Sequence, residues 1–311
     1  MPSVPSSARG SNGPTRLRRF GYWAGILPAG FIVAFFLLIP LAGVAAFSFM
    51  AANEYGGVVP RFSLDAYVQL LFEQQLDLSM AFTDSYLVIT LRSVLLAFAT
   101  LTIVLLVGFP VATFIAMQPS SRRNSLILLI TIPFFANTLV RTYCWVLMLR
   151  DTGVVNNVLQ STGLTTHPVQ FLYTNSAILV GLVYSYAPFM ILPIYASLEK
   201  LDTRLIEAAY DLYASKWQVL RRVIWPAAKP GVIAGCLLTF IPSLGAQISP
   251  DLLGGGKHMM FGNLIFRQFT DARNWPFGSA LAMILLSLVL LAGLIYLFRV
   301  RASRTRPWHS A

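Results

Sequence analysis

Six apolar runs, near residues 25–50, 86–117, 126–149, 177–197, 231–250 and 278–298, constrain this chain more tightly than any motif in it. A helix needs roughly 20 mostly apolar residues to cross a hydrocarbon core of about 30 Å, and the runs are of that order. Composition agrees. Hydrophobic residues make up 56% of the chain and charged residues 11%, with a mean hydropathy of +0.67, outside the balance of soluble domains. The first run is longer than the roughly 7–15 residues of a cleavable leader's apolar region. Although Ala51-Ala52 offers small residues nearby, it reads as a retained span.

The net charge of +11 invites a nucleic-acid reading, but its distribution argues for topology. Sixteen Lys and Arg residues fall in the N-terminal tail (Arg9, Arg16, Arg18, Arg19), at Arg122 and Arg123, across Lys200–Lys229, and in the C-terminal tail from Arg299. The alternate loops carry five (Arg61, Arg150, Lys257, Arg267, Arg273), together with eight of the twelve acids. The positive-inside rule then places both termini in the cytoplasm. The expectation is an all-α membrane protein with six transmembrane helices and no nucleic-acid partner.

Cys144 and Cys236 lie inside apolar runs, without the paired spacing of a disulfide or zinc site. His167, His258 and His309 show no metal-ligand or triad spacing. Gly254-Gly255-Gly256-Lys257-His258 lacks the spacing and the hydroxyl residue of a phosphate-binding loop. The chain is expected to carry no catalytic residue, metal or cofactor. If ATP drives it, ATP and Mg are bound by another polypeptide.

Residues 1–20 are Ser-, Pro-, Gly- and Arg-rich, a composition expected to be disordered. Residues 21–300 form the membrane domain, and 301–311 a second basic tail. Among the outer loops, 51–85 contains Phe62–Leu71, read as a short surface helix with Ser63 as N-cap. Loops 150–176 and 251–277 carry turn chemistry. No internal or inverted repeat is visible. Pro110, Pro133, Pro188, Pro193 and Pro242 interrupt four spans, which favours a bundle enclosing a pathway over simple packing. Gly231–Gly235 offers a small-residue face for close helix contact.

Between the fourth and fifth runs, residues 199–229 form a charged, amphipathic loop. Leu201, Leu205, Ala208, Ala209 and Leu212 recur at three- and four-residue spacing, an apolar stripe on a short helix. Asp202 can cap its start. Ser215-Lys216-Trp217-Gln218 fits a capping box for a second helix, and Pro226 fits a turn back toward the membrane.

This loop resembles the signature cytoplasmic loop of binding-protein-dependent ABC importer permeases: Glu-Ala-Ala, three residues, Gly, nine residues, Ile, any residue, Leu, Pro. Glu207, Ala208, Ala209 and Pro226 match. Val223 is a mild change, while Tyr213 stands for Gly and Trp225 for Leu. The resemblance runs over nearly the whole chain. Leu139–Trp145 with Asp151–Asn156, and Leu252–Gly255 followed by Met259–Ile265 and Ala272–Pro276, are similar to segments of the spermidine/putrescine importer permeases. It implies a cytoplasmic coupling helix between the fourth and fifth spans, with Glu207, Ala208, Ala209, Asp211, Tyr213, Ala214, Ser215 and Pro226 as the ATPase-coupling segment. It further implies a second permease subunit, a cytoplasmic ABC ATPase dimer, a periplasmic substrate-binding protein and a bacterial inner membrane. Other permeases of this type serve amino-containing solutes and opines.

Candidate pathway residues are Tyr143, Trp145, Asp151, Tyr186, Asp251 and Arg141. Aromatic faces and carboxylates suit a cationic solute; the alternatives are an interfacial belt or core packing for the rings and turn capping for the acids. Arg141 falls about two turns inside the third run, where an unpaired cation costs at least about 2.5–3.5 kcal/mol. Either an acid such as Asp84 or Asp151 neutralises it, or the solute carries a carboxylate. Arg92, near a span end, can snorkel. Against a secondary transporter, none of the twelve acids lies deep in a span. A scaffold would leave the kinks and Arg141 without purpose.

Overall fold

The computed structural model describes residues 16–74 and 80–304. The expected disorder of 1–15, the last residues of the C-terminal tail and the acid Asp77 lie outside them. Helix α1 (Arg16–Ser48) starts inside the segment read as a tail. The protein is mostly helical rather than purely so. Two small antiparallel hairpins, β1 (Met50–Ala52) with β2 (Val58–Phe62) and β3 (Phe72–Gln74) with β4 (Met80–Phe82), occupy the first long loop. Between them α2 (Asp65–Val68) is shorter than expected. The Ser63 hydroxyl accepts from the Asp65 N–H at 3.0 Å, although Leu64 takes the capping position.

Long helices follow in α3 (Ser85–Ala116), α7 (Asn175–Leu198) and α13 (Trp275–Arg304). The fifth run becomes a composite of α9 (Lys216–Val219), a π-helical turn (Leu220–Ile224) and α10 (Trp225–Leu244). With Gly30–Ser48 of α1, five helices are long and apolar enough to cross a membrane. Pro226 is not the expected turn; it lies in the first turn of α10. It has no N–H, and its ring would strike the Arg222 carbonyl in an uninterrupted α-helix. The wide turn before it, where the Trp225 N–H reaches back to Leu220 O, relieves that crowding.

The third run departs most from expectation. It is two helices, α4 (Ser120–Phe135) and α5 (Thr138–Leu149), and the chain turns by 90° between them. Ala136 and Asn137 are extended, and the Asn137 side chain accepts from the Leu139 N–H at 2.8 Å, capping α5. Counted as one bent span, this pair makes the sixth. The fifth span also stops short: after α10 and Gly245 a new helix, α11 (Ile248–Gly254), begins where 231–250 reads as continuous. Short helices α6 (Val154–Ser161), α8 (Thr203–Asp211) and α12 (Phe261–Thr270) fill the connections.

The core lies among α3, α7 and α10. Buried Val104, Ala112, Ile115, Met190, Ile194 and Val232 meet there. Glycine makes the approach possible. A β-carbon on Gly231 would stand 2.6 Å from Ser197 Oγ and 2.8 Å from Ile194 Cα, and one on Gly235 2.7 Å from Met190 Sδ. The expected small-residue face is therefore the α7–α10 contact. In membranes such contacts substitute close packing for a hydrophobic drive.

Candidate functional site

The residues singled out in the sequence fall into one group beyond the C-terminal end of α7 and others along its middle and its N-terminal end. Beyond its C-terminal end, α8 is capped by Asp202, whose carboxylate accepts from the Arg204 N–H at 3.0 Å. The helix closes with two turn bonds: Tyr213 N–H to Tyr210 O at 2.9 Å, and Ala214 N–H to Ala209 O at 3.0 Å. That is a Schellman ending, whose pivot residue adopts the left-handed conformation favoured by Gly. Tyr213 is the pivot, at φ +57°. Ser215 and Gln218 then form the expected capping box of α9, with bonds of 3.3 and 2.8 Å.

The stripe on α8 divides. Leu201, Ile206, Ala209 and Ala214 pack on the α3–α7–α10 core. Leu205, Ala208, Leu212 and Tyr213 face outward, Leu212 at 82% and Tyr213 at 98% exposure. Glu207 and Asp211 are also exposed and enter no ion pair among the described residues. The inward half braces the element, leaving an apolar and acidic outer surface. Nearby, Arg123 at the start of α4 pairs with Glu199 at the end of α7, at 3.4 Å.

The pathway candidates separate into three groups. Arg141 and Tyr186 share a cavity of about 330 Å³ with Phe134, Ser185, Gln247 and Ser249. Arg141 is 9% exposed. Its Nη1 donates to the Pro133 carbonyl at 3.4 Å and its Nη2 to the Thr138 hydroxyl at 3.2 Å. The guanidinium lies 5.8 Å from the Phe134 and Tyr184 ring centres. Neither Asp84 nor Asp151 pairs with it, and no other acid does among the described residues. Instead it closes the carbonyl end of α4, where the helix dipole favours a cation. Tyr186 donates its hydroxyl to the Pro242 carbonyl at 2.9 Å, bridging α7 to the end of α10.

Tyr143 and Asp151 line a second cavity of about 450 Å³, with Arg150, Thr152, Gln170 and Tyr173. Trp145 lines neither; it packs edge-on to Tyr184, ring centres 5.6 Å apart. Asp251 also lies apart. Its carboxylate accepts from Asn263 Nδ2 at 3.1 Å and pairs with Arg267 at 3.4 Å, tying α11 to α12. It lines neither of these two cavities, and its described side-chain contacts join two helices. Ser185, Gln247, Ser249 and Tyr173 escaped the sequence reading. The polar Gln247 and Ser249 beside Gly245 in an apolar run are the signal that could have found three-dimensional company for Arg141.

Comparison with known proteins agrees with this architecture. The spermidine/putrescine transport system permease protein PotB of Escherichia coli (strain K12) is 38% identical over 269 residues, 86% of this chain and 93% of that protein. PotB of Haemophilus influenzae is 38% identical over 85% of this chain and 88% of its own length. Among solved structures, a bacterial alginate ABC transporter in complex with an alginate pentasaccharide-bound periplasmic protein has a chain that superposes with a TM-score of 0.68. It shares 20% identity and covers 89% of this chain and 93% of that one, a likeness of fold alone. Residues 108–307 match the family described as the binding-protein-dependent transport system inner membrane component. The chain belongs to that family and is a multi-pass inner-membrane permease.

Proposed function

We propose that this chain is one permease subunit of an ATP-driven importer, and that its solute is a polyamine such as spermidine or putrescine. The substrate reading rests on the PotB relatives, which match over most of both chains. The observation that carries the coupling reading is the outward face of α8 and its turn. Leu205, Leu212 and Tyr213 present apolar surface beside Glu207, on an element braced from behind by Ile206 and Ala209. A solvated loop has no need of that combination.

In this reading α8 is the cytoplasmic coupling helix and docks on an ABC ATPase dimer that binds ATP and Mg. Both termini are cytoplasmic. A second permease subunit completes the pathway, and a periplasmic binding protein delivers the solute. Closure of the ATPases moves α8, and the continuous α9–π–α10 unit carries the displacement along the α7 contact to Gly245. There α10 ends beside the cavity of Arg141 and Tyr186. A contiguous packed element with two arrangements is the physical requirement for such coupling, and Gly245–Gln247 is the break at which the second arrangement can form.

The test is reconstitution with the partner subunits and measurement of ATP hydrolysis and polyamine uptake. Glu207→Lys should leave the permease inserted and paired, weaken ATPase attachment and abolish ligand-stimulated hydrolysis. Full stimulated hydrolysis and uptake in that variant would refute the role of Glu207. The same result for deletion of 203–214 would refute the coupling reading itself. A cognate binding protein that ignores polyamines but takes an amino acid or opine would redirect the substrate assignment only.

A further inference from the structure

We propose that the cavity around Arg141 is a binding site for a compact anion, of halide or carboxylate chemistry. The cavity gathers donors without acceptors. Arg141 is nine-tenths buried, and its Nε has no hydrogen-bond partner. Its two other contacts go to neutral oxygens at 3.2 and 3.4 Å, the long end of the hydrogen-bond range. No carboxylate pairs with it among the described residues. Ser185, Gln247 and Ser249 line the same cavity, and their side chains make no hydrogen bond to another described residue.

These groups come from three separate places: α5, the middle of α7, and the α10–α11 junction. Each can donate, and none supplies negative charge. A buried cation at membrane depth pairs with an acid, a carbonyl or a water-filled space. Here the carbonyl of Pro133 and two ring faces supply part of that compensation. The volume of about 330 Å³ holds an anion and several waters, at roughly 30 Å³ per water. A cationic solute is the class this arrangement disfavours, so a bound anion also changes what a polyamine meets on passing. That consequence rests on the pathway reading above; the site itself does not.

The experiment uses the assembled transporter in detergent and follows the linewidth of the chloride NMR signal. The wild type should broaden chloride, and formate should reverse the broadening. Arg141→Gln should remove the formate-sensitive component, Arg141→Lys should retain part of it, and Arg150→Gln in the other cavity should leave it unchanged. If Arg141→Gln fails to assemble, Ser249→Ala supplies the reading, with chloride bound about tenfold more weakly for one lost hydrogen bond to a charged group. Displacement of chloride by alanine but not by putrescine would assign the site to a carboxylate on the solute. Displacement by neither, with uptake falling when gluconate replaces chloride, would assign it to a resident inorganic anion. Equal formate-sensitive broadening in the wild type and an assembled Arg141→Gln would overturn the proposal. Absent polyamine uptake with chloride broadening intact would count against the proposed function and not against the site.

Discussion

Replacing Gly231 by Ala adds one methyl group, and the structure says where it goes. The new carbon would meet the Pro193 carbonyl, Ser197 Oγ at 2.6 Å and Ile194 Cα at 2.8 Å. A serine can rotate away, but the Ile194 and Pro193 backbone cannot, so α7 and α10 must separate. Overpacking of this kind costs about 1–3 kcal/mol. At Gly235 the nearest atom is the flexible thioether of Met190, with Met190 Cα at 3.2 Å, so the cost should fall toward the lower end. At Gly43 in α1 nothing lies within 4 Å, and Ala there should gain about 0.5–1 kcal/mol from helix propensity. On the scale of roughly 2–4 °C per kcal/mol for large domains, Gly231→Ala lowers the midpoint of thermal aggregation by several degrees. Gly235→Ala lowers it less, and Gly43→Ala does not lower it. Size-exclusion profiles of heated, detergent-solubilised transporter measure all three. Indistinguishable midpoints for the Gly231 and Gly43 variants would refute the claim that this contact is set by backbone approach.

Tyr213→Gly relieves a left-handed conformation that costs a non-Gly residue about 1–2 kcal/mol, against about 0.5–1 kcal/mol of added chain entropy. Stability should hold or rise slightly, while affinity for the ATPase, measured by co-purification, falls if the ring fills part of the motor's cleft. Asp151→Asn should reduce uptake of a divalent cation at normal expression. Asp251→Asn should instead cost up to about 1 kcal/mol of stability, as expected for a pair about a third exposed, with uptake per folded molecule unchanged; the reverse pattern would exchange their roles. A reporter after Ala311 should be cytoplasmic and one inserted near Gly57 periplasmic, and the opposite location for either would overturn the orientation read from the charge bias.

The helices and most caps were legible because they depend on neighbours in sequence. Asp202, Ser215 and Gln218 satisfy N–H groups within three residues of themselves, and Tyr213 sits where the resemblance calls for a residue tolerant of positive φ. Hydropathy located the apolar runs but not their interruptions. Nothing in the average polarity of 126–149 distinguishes a straight span from α4 and α5 at a right angle, because the bend depends on what α7 and α11 offer each half. The same holds for Asp251. Its position suggested a pathway, and only the fold brings Arg267, sixteen residues away, onto its carboxylate. For the α8 stripe, spacing found an apolar side, but which leucines face the core depended on the angle at which the helix lies.

The right angle between α4 and α5 also bears on how the protein is made. At 1.5 Å per residue, the 12 residues of α5 reach about 18 Å, too short to be accepted into a bilayer as a spanning segment of roughly 17–25 residues. We expect the insertion machinery to take in the whole run with Arg141 aboard, before the corner is made. The contacts that hold the corner form later, once α7 and then α11, more than a hundred residues downstream, have been synthesised and have packed against it. We expect a nascent chain arrested before α11 to hold Cys144 at a different depth from the finished protein. Thiol labelling of arrested and released chains would read the difference, and equal labelling would show that the corner is built into the segment itself. On this view the region that surrounds the buried arginine settles only after helices far downstream of it have been made.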